Sequence, residues 1–117
     1  MDLDNRAIAE AFSGHKFEDT FPHLSNDVEW DIVGDRHPAG REAVMAVCRE
    51  SAEYLGGVKT NFKRFNVIDA QDKVVIDSLA DYSGEDGVST VASCDVYEFA
   101  DGKVVRITSY NIDLTSD

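Results

Sequence analysis

The chain predicts an α+β domain in which three N-terminal helices pack on a curved antiparallel sheet, closing a cone around an internal space. Three observations carry this reading. Apolar residues recur at helical spacing in two long stretches before residue 56, and they alternate at the two-residue period of strands after residue 58. Short, turn-rich segments join the strand-like runs, and helices followed by consecutive strands indicate an α+β arrangement. A length of 117 residues suits one domain with a real core.

Residues 3–13 place Leu3, Ala7, Ile8, Ala11 and Phe12 on one helical face, with Ser13-Gly14 as the stop. A short second helix is expected from Lys16 to about Leu24, turning Phe17, Phe21 and Leu24 inward, with Pro22 kinking or ending it. The period then changes: Val28 to Val33 reads as a strand, closed by Gly34-Asp35 and by the turn-prone His37-Pro38-Ala39-Gly40. From Gly40 to Leu55 the helical period returns, with Val44, Val47, Cys48, Ser51 and Leu55 on one side, and Gly56-Gly57 ends this longest helix. Strands over Val58–Ile68, Lys73–Tyr82, Thr90–Phe99 and Lys103–Leu114 follow, and their short connections predict an antiparallel meander.

The last two strands form the dominant hairpin, for which Asp101-Gly102 supplies the positive φ of a tight turn. One residue in it breaks the apolar pattern. Asp95 shares a strand face with Val91, Ser93, Tyr97 and Phe99, and a carboxylate among apolar groups is unfavourable unless partnered or used.

Composition excludes several classes. The 23 acidic against 11 basic side chains give a formal charge of −12, which repels nucleic acid and anionic lipid. No stretch approaches the ~20 apolar residues of a membrane span, and Met1-Asp2-Leu3-Asp4-Asn5 is acidic where a signal peptide begins basic, so a cytoplasmic location is expected. Cys48 and Cys94 match no metal spacing and read as two buried thiols. His15, His23 and His37 are expected at the surface and form no metal-binding pair, and Asp77 with Asp81 reads as solvated strand charge. No phosphate-cradling glycine loop or nucleophile elbow is present, so neither nucleotide binding nor acyl-enzyme chemistry is expected, and no cofactor or metal.

Three segments together resemble the nuclear transport factor 2-like superfamily, in particular its SnoaL-like and ketosteroid-isomerase-like members. They are Asp27-Val28-Glu29-Trp30, the run from Gly34 through Pro38-Ala39-Gly40-Arg41-Glu42-Ala43-Val44, and the hairpin from Asp95 to Val105. The resemblance implies a cone-shaped fold that hosts isomerases, cyclases, hydrolases, dehydratases and plain binding proteins. Counted from these motifs, Asp31 falls on the position of the ketosteroid isomerase base, and Asp95 on that of its protonated, oxyanion-stabilising aspartate. The isomerase's first-helix tyrosine has no counterpart, since Ala7 or Ile8 stands there. Polyketide-cyclase-like members also carry an acid on a late strand, a pattern that Asp95 satisfies.

The expected function is cofactor-independent proton transfer on an apolar carbonyl compound. Asp31 would act as base and Asp95 as acid or oxyanion donor, with Trp30, Cys48, Val91, Ser93 and Asn111 shaping the site. The rival expectation is a non-catalytic ligand-binding or dimerisation domain of the same fold. On the last strand Asn111 and Asp113 share a parity with Ile107 and Ser109, while Val104, Thr108, Tyr110 and Ile112 take the other. That second face is expected to pack on a partner, since superfamily members commonly form homodimers through it.

Overall fold

The computed structural model describes residues 4–115. Helix α1 spans Asn5–Ser13, and the Asp4 side chain caps it by accepting from the Ala7 amide at 2.8 Å. Leu3, expected as the first apolar position of this helix, lies outside the described residues. The second helical segment is divided: α2 covers Phe17–Thr20 and a 3₁₀ turn covers Phe21–His23, with Pro22 at its start. A proline amide cannot donate, so the α-helical ladder stops where the sequence anticipated a kink.

Strand β1 (Leu24–Ile32) begins four residues earlier than its sequence pattern indicated. Helix α3 (Arg41–Gly56) then leads to β2 (Lys59–Asp69), β3 (Lys73–Gly84), β4 (Gly87–Ala100) and β5 (Lys103–Asp113). The sheet order is β1-β5-β4-β3-β2. β2 to β5 form the antiparallel meander, whereas β1 joins parallel to β5. A parallel neighbour needs a long crossover, and α3 with the whole meander supplies it. The hairpin turn has φ +53° at Asp101 and +77° at Gly102, both positive as a type I′ connection requires.

One face of the sheet carries the core. Ile8 and Phe12 of α1 and Val44, Val47 and Cys48 of α3 meet Val28, Val74, Ile76, Tyr97, Phe99, Val104 and Ile107. Phe12 anchors the centre, with its ring edge-to-face against Phe17, Trp30 and Tyr97 at 5.1, 5.0 and 5.8 Å. Arg41, at the first turn of α3, clasps the Phe21 carbonyl through Nε and Nη2 at 3.2 and 2.9 Å, fixing the long helix against the 3₁₀ turn.

The outer edge of β1 is covered by its own following loop. The Trp30 amide donates to Pro38 O, the Ile32 amide to Arg36 O, and the Gly40 amide to Val28 O. Gly40 ends this strap and caps α3 with φ +94° and ψ 150°, a region closed to L side chains. A Cβ there would meet no atom within 4 Å, so the restriction is purely torsional. Gly40→Ala is therefore expected to lower stability by about 1–3 kcal/mol in a urea melt. Gly56→Ala, at a helical position also free of contacts, should raise it by up to about 1 kcal/mol.

Candidate functional site

Beneath the helices the sheet encloses a cavity of about 550 Å³, within the size range of small-molecule sites. Its inner walls are Phe12 and Ser13 of α1, Phe17 of α2, Trp30 of β1, Asp95 of β4 and Ser109 of β5. Nearer the opening come His15, Tyr54, Tyr82, Asn111 and the Arg36–Glu50 ion pair, closed at 3.2 Å.

Asp95 is the acid of this cavity, and hydroxyls converge on it from two sides. Ser13 donates to Asp95 Oδ2 at 2.7 Å, and the Tyr97 hydroxyl lies 2.6 Å from the same Ser13 oxygen. A serine has one proton to give, so with Ser13 donating to Asp95, Tyr97 donates to Ser13. Across the β4–β5 ladder Asp95 pairs with Ser109, whose Oγ accepts from Trp30 Nε1 at 2.9 Å and whose own hydroxyl serves the carboxyl. Burial pushes the Asp95 pKa above the ordinary carboxylate value, and the Ser109 and Ser13 hydrogen bonds only partly offset it. Tyr97, fully buried, has its pKa raised well above that of a free phenol, first by burial and then by Asp95, so it remains a neutral donor.

Several expectations are corrected by the geometry. Asp31 does not enter the cavity. Strand alternation turns Trp30 inward, leaving it 8% exposed, and sends Asp31 to the opposite face of the sheet, where its Oδ2 lies 3.5 Å from Arg106 Nη2. Arg106 also reaches Glu29 at 3.4 Å and Glu98 at 3.9 Å, so Asp31 belongs to an outer ladder of charge. Cys48 does not form a wall of the cavity either. It is fully buried and backs a separate cleft of about 290 Å³ beside Phe17, Phe21 and Arg49, where burial pushes its thiol up to about 12. Cys94, expected to be buried, is half-buried on the outer face opposite Tyr110. Ser93 acts at one remove, donating to Asn111 Oδ1 at 2.7 Å, while Val91 and Asn111 line the cavity themselves.

His15, expected at the surface, is half-buried and lines the cavity. The sequence pattern also passed over Ser13 and Ser109, whereas it placed Tyr97 on Asp95's face two residues on. Ser13 was not detectable, since its partner lies 82 positions away. Asp77 and Asp81 are held below the usual carboxylate range by hydrogen bonds, led by Arg64 and Thr90 respectively, and no cluster suited to a metal occurs among the described residues.

The sequence model of the SnoaL-like domain matches residues 5–107. A solved NTF2-like protein of unknown function from Cytophaga hutchinsonii is similar at 28% identity, with a TM-score of 0.80 over 90% of this chain and 93% of that one. A candidate polyketide cyclase from Xanthomonas campestris pv. campestris shares the fold at 17% identity and TM-score 0.68, covering 89% of this chain and 84% of its own. A candidate isomerase from Rhodopseudomonas palustris does so at 18% identity and TM-score 0.64, covering 91% and 84%. No curated protein matches the sequence.

The raised Asp95 pKa has a consequence for stability. Between the ordinary carboxylate value and the folded-state value, the folded chain holds a proton that the unfolded chain has released. The stability associated with this group is therefore present at acid pH and is lost as pH rises through the folded-state pKa. Asp95→Asn cannot ionise, so its Tm relative to wild type should increase between about pH 4 and about pH 8, as read by thermal melts at each pH.

Proposed function

The chain belongs to the SnoaL-like domain family, and on that premise we propose that it binds an apolar, carbonyl-bearing small molecule in the cavity and moves a proton on it without a cofactor. Isomerisation, cyclisation and dehydration all fit that description. The observation that carries the reading is Asp95, a carboxyl whose pKa burial raises, facing a hollow walled by Phe12, Phe17 and Trp30. When protonated, this carboxyl, with Oδ2 accepting from Ser13, offers an O–H donor to a carbonyl oxygen. That bond strengthens as negative charge develops on the oxygen, which lowers the barrier to removing a proton from the adjacent carbon. Tyr97, acting through Ser13, brings a tyrosine hydroxyl to the carboxyl from β4 although α1 has none. The cyclase and isomerase names of two structural relatives point to the same reaction class.

A purely ligand-binding role is the second reading, favoured by the placement of Asp31 outside the cavity. One set of measurements separates the two. Trp30 is the single tryptophan and lines the cavity, so its emission reports binding. With cyclic enones and polyketide-like ketones, wild type is expected to bind and turn over at least one compound. Asp95→Asn should lose about 100-fold or more in kcat, while Asp31→Asn stays within about twofold, as a half-buried ion-pair position outside the cavity should. Quenching of Trp30 without turnover would establish the binding role instead.

The same reading includes a second copy of the chain on the outer face of the sheet. Tyr110, Ile112 and Ile68 are 48%, 60% and 58% exposed there, beside Val75, Cys94 and Val96. Such a contiguous apolar surface is unusual on a monomer. Ile112→Lys is expected to shift the protein from dimer to monomer in sedimentation velocity, leaving the fold intact by circular dichroism.

A further inference from the structure

The proposed chemistry needs a proton acceptor, and the displaced Asp31 leaves that role open. His15 meets its requirements. Helix α1 ends in a Schellman motif: the Lys16 amide donates to Ala11 O at 2.8 Å and the His15 amide to Phe12 O at 3.1 Å. In that motif the left-handed residue is normally glycine, yet Gly14 takes φ −84° and His15 takes φ +72°. A non-glycine residue held there carries strain of order 1–3 kcal/mol, and such strain concentrates at functional sites.

The strained turn places two groups at once. Ser13, two positions before His15, hydrogen-bonds Asp95, and Cα atoms two residues apart lie within ~7 Å. The carbonyl-binding acid and the imidazole both line the same cavity. The ring itself is packed in an aromatic collar, with centroids 5.9 Å from Phe17, 5.5 Å from Phe62 and 5.9 Å from Tyr82. Burial holds its pKa below the ordinary histidine value, so at neutral pH it carries a free lone pair.

We infer that His15 is the general base of this cavity, taking a proton from the carbon next to the carbonyl whose oxygen is hydrogen-bonded by Asp95. The C–H electron pair becomes the C=C bond of an enol or enolate, and the carbonyl π pair moves onto the oxygen. The imidazolium then returns its proton to the same or a conjugated carbon, so nothing is oxidised or reduced. The substrate class is an apolar ketone or enone with an acidic α-hydrogen. This assignment rests on the proton-transfer reading above.

The test is deuterium incorporation from D₂O, followed by proton NMR, into 2-tetralone and a panel of cyclic enones. Wild type should accelerate exchange above the uncatalysed rate. His15→Asn and His15→Gly both accept a left-handed backbone and should fold, with native circular dichroism. Each should lose about 100-fold or more in exchange rate. Added imidazole should restore part of the rate in His15→Gly, whose cavity it can enter, and none in Asp95→Asn. Exchange within about threefold of wild type in either histidine variant would overturn His15 as base and leave the role of Asp95 standing. Loss in both without imidazole rescue would overturn it too, making His15 a packing residue. No wild-type exchange with any ketone, while Trp30 still reports binding, would overturn the proton-transfer reading and the base with it.

Discussion

A carboxyl group enclosed by aromatic rings must find donors, and in this chain the search is answered from four elements at once. Ser13 comes from the end of α1, Tyr97 from two residues along β4, Ser109 from the facing position of β5, and Trp30 from β1 steadies Ser109. Leaving any one buried polar group without its partner costs about 1–3 kcal/mol, so the end of α1 cannot slide along the sheet without a penalty. The turn follows at once: α1 ends at Ser13, whose hydroxyl meets Asp95, and the reversal of the chain falls on His15.

The two faces of the sheet divide the work between packing and solvation. Inward positions of β1, β4 and β5 build the hollow, and outward positions near Arg106 build a charge ladder through Glu98, Glu29 and Asp31. Exposed pairs of this kind contribute little individually. Their effect here is to keep one end of the outer face hydrated while Tyr110 and Ile112 leave the other end apolar.

Much of this was legible from residue order alone, and the failures have physical causes. The hairpin and its inward set of Val91, Asp95 and Tyr97 followed from a two-residue period over many residues, which tolerates no ambiguity of face. In β1 the pattern is short and polar residues flank Trp30 on both sides, so Asp31 was given the inward face that belongs to its neighbour. Cys48 shares a helical face with Val44 and Val47, but that part of α3 backs the cleft beside Phe17 and Phe21, whereas Ser51 and Leu55 one turn on reach the hollow. His15 escaped notice because Gly14 is the obvious helix stop. Only the backbone hydrogen bonds reveal that the left-handed residue is the next one.

The strap over β1 also bears on how the molecule behaves in a crowd. An exposed strand edge invites another chain to extend the sheet. Here residues 36–40 already occupy the backbone groups of β1 on that side. At the opposite margin, β2 carries a bulge between Phe62 and Arg64 together with Lys59, Lys63 and Arg64. Both margins thus resist extension of the sheet by another chain.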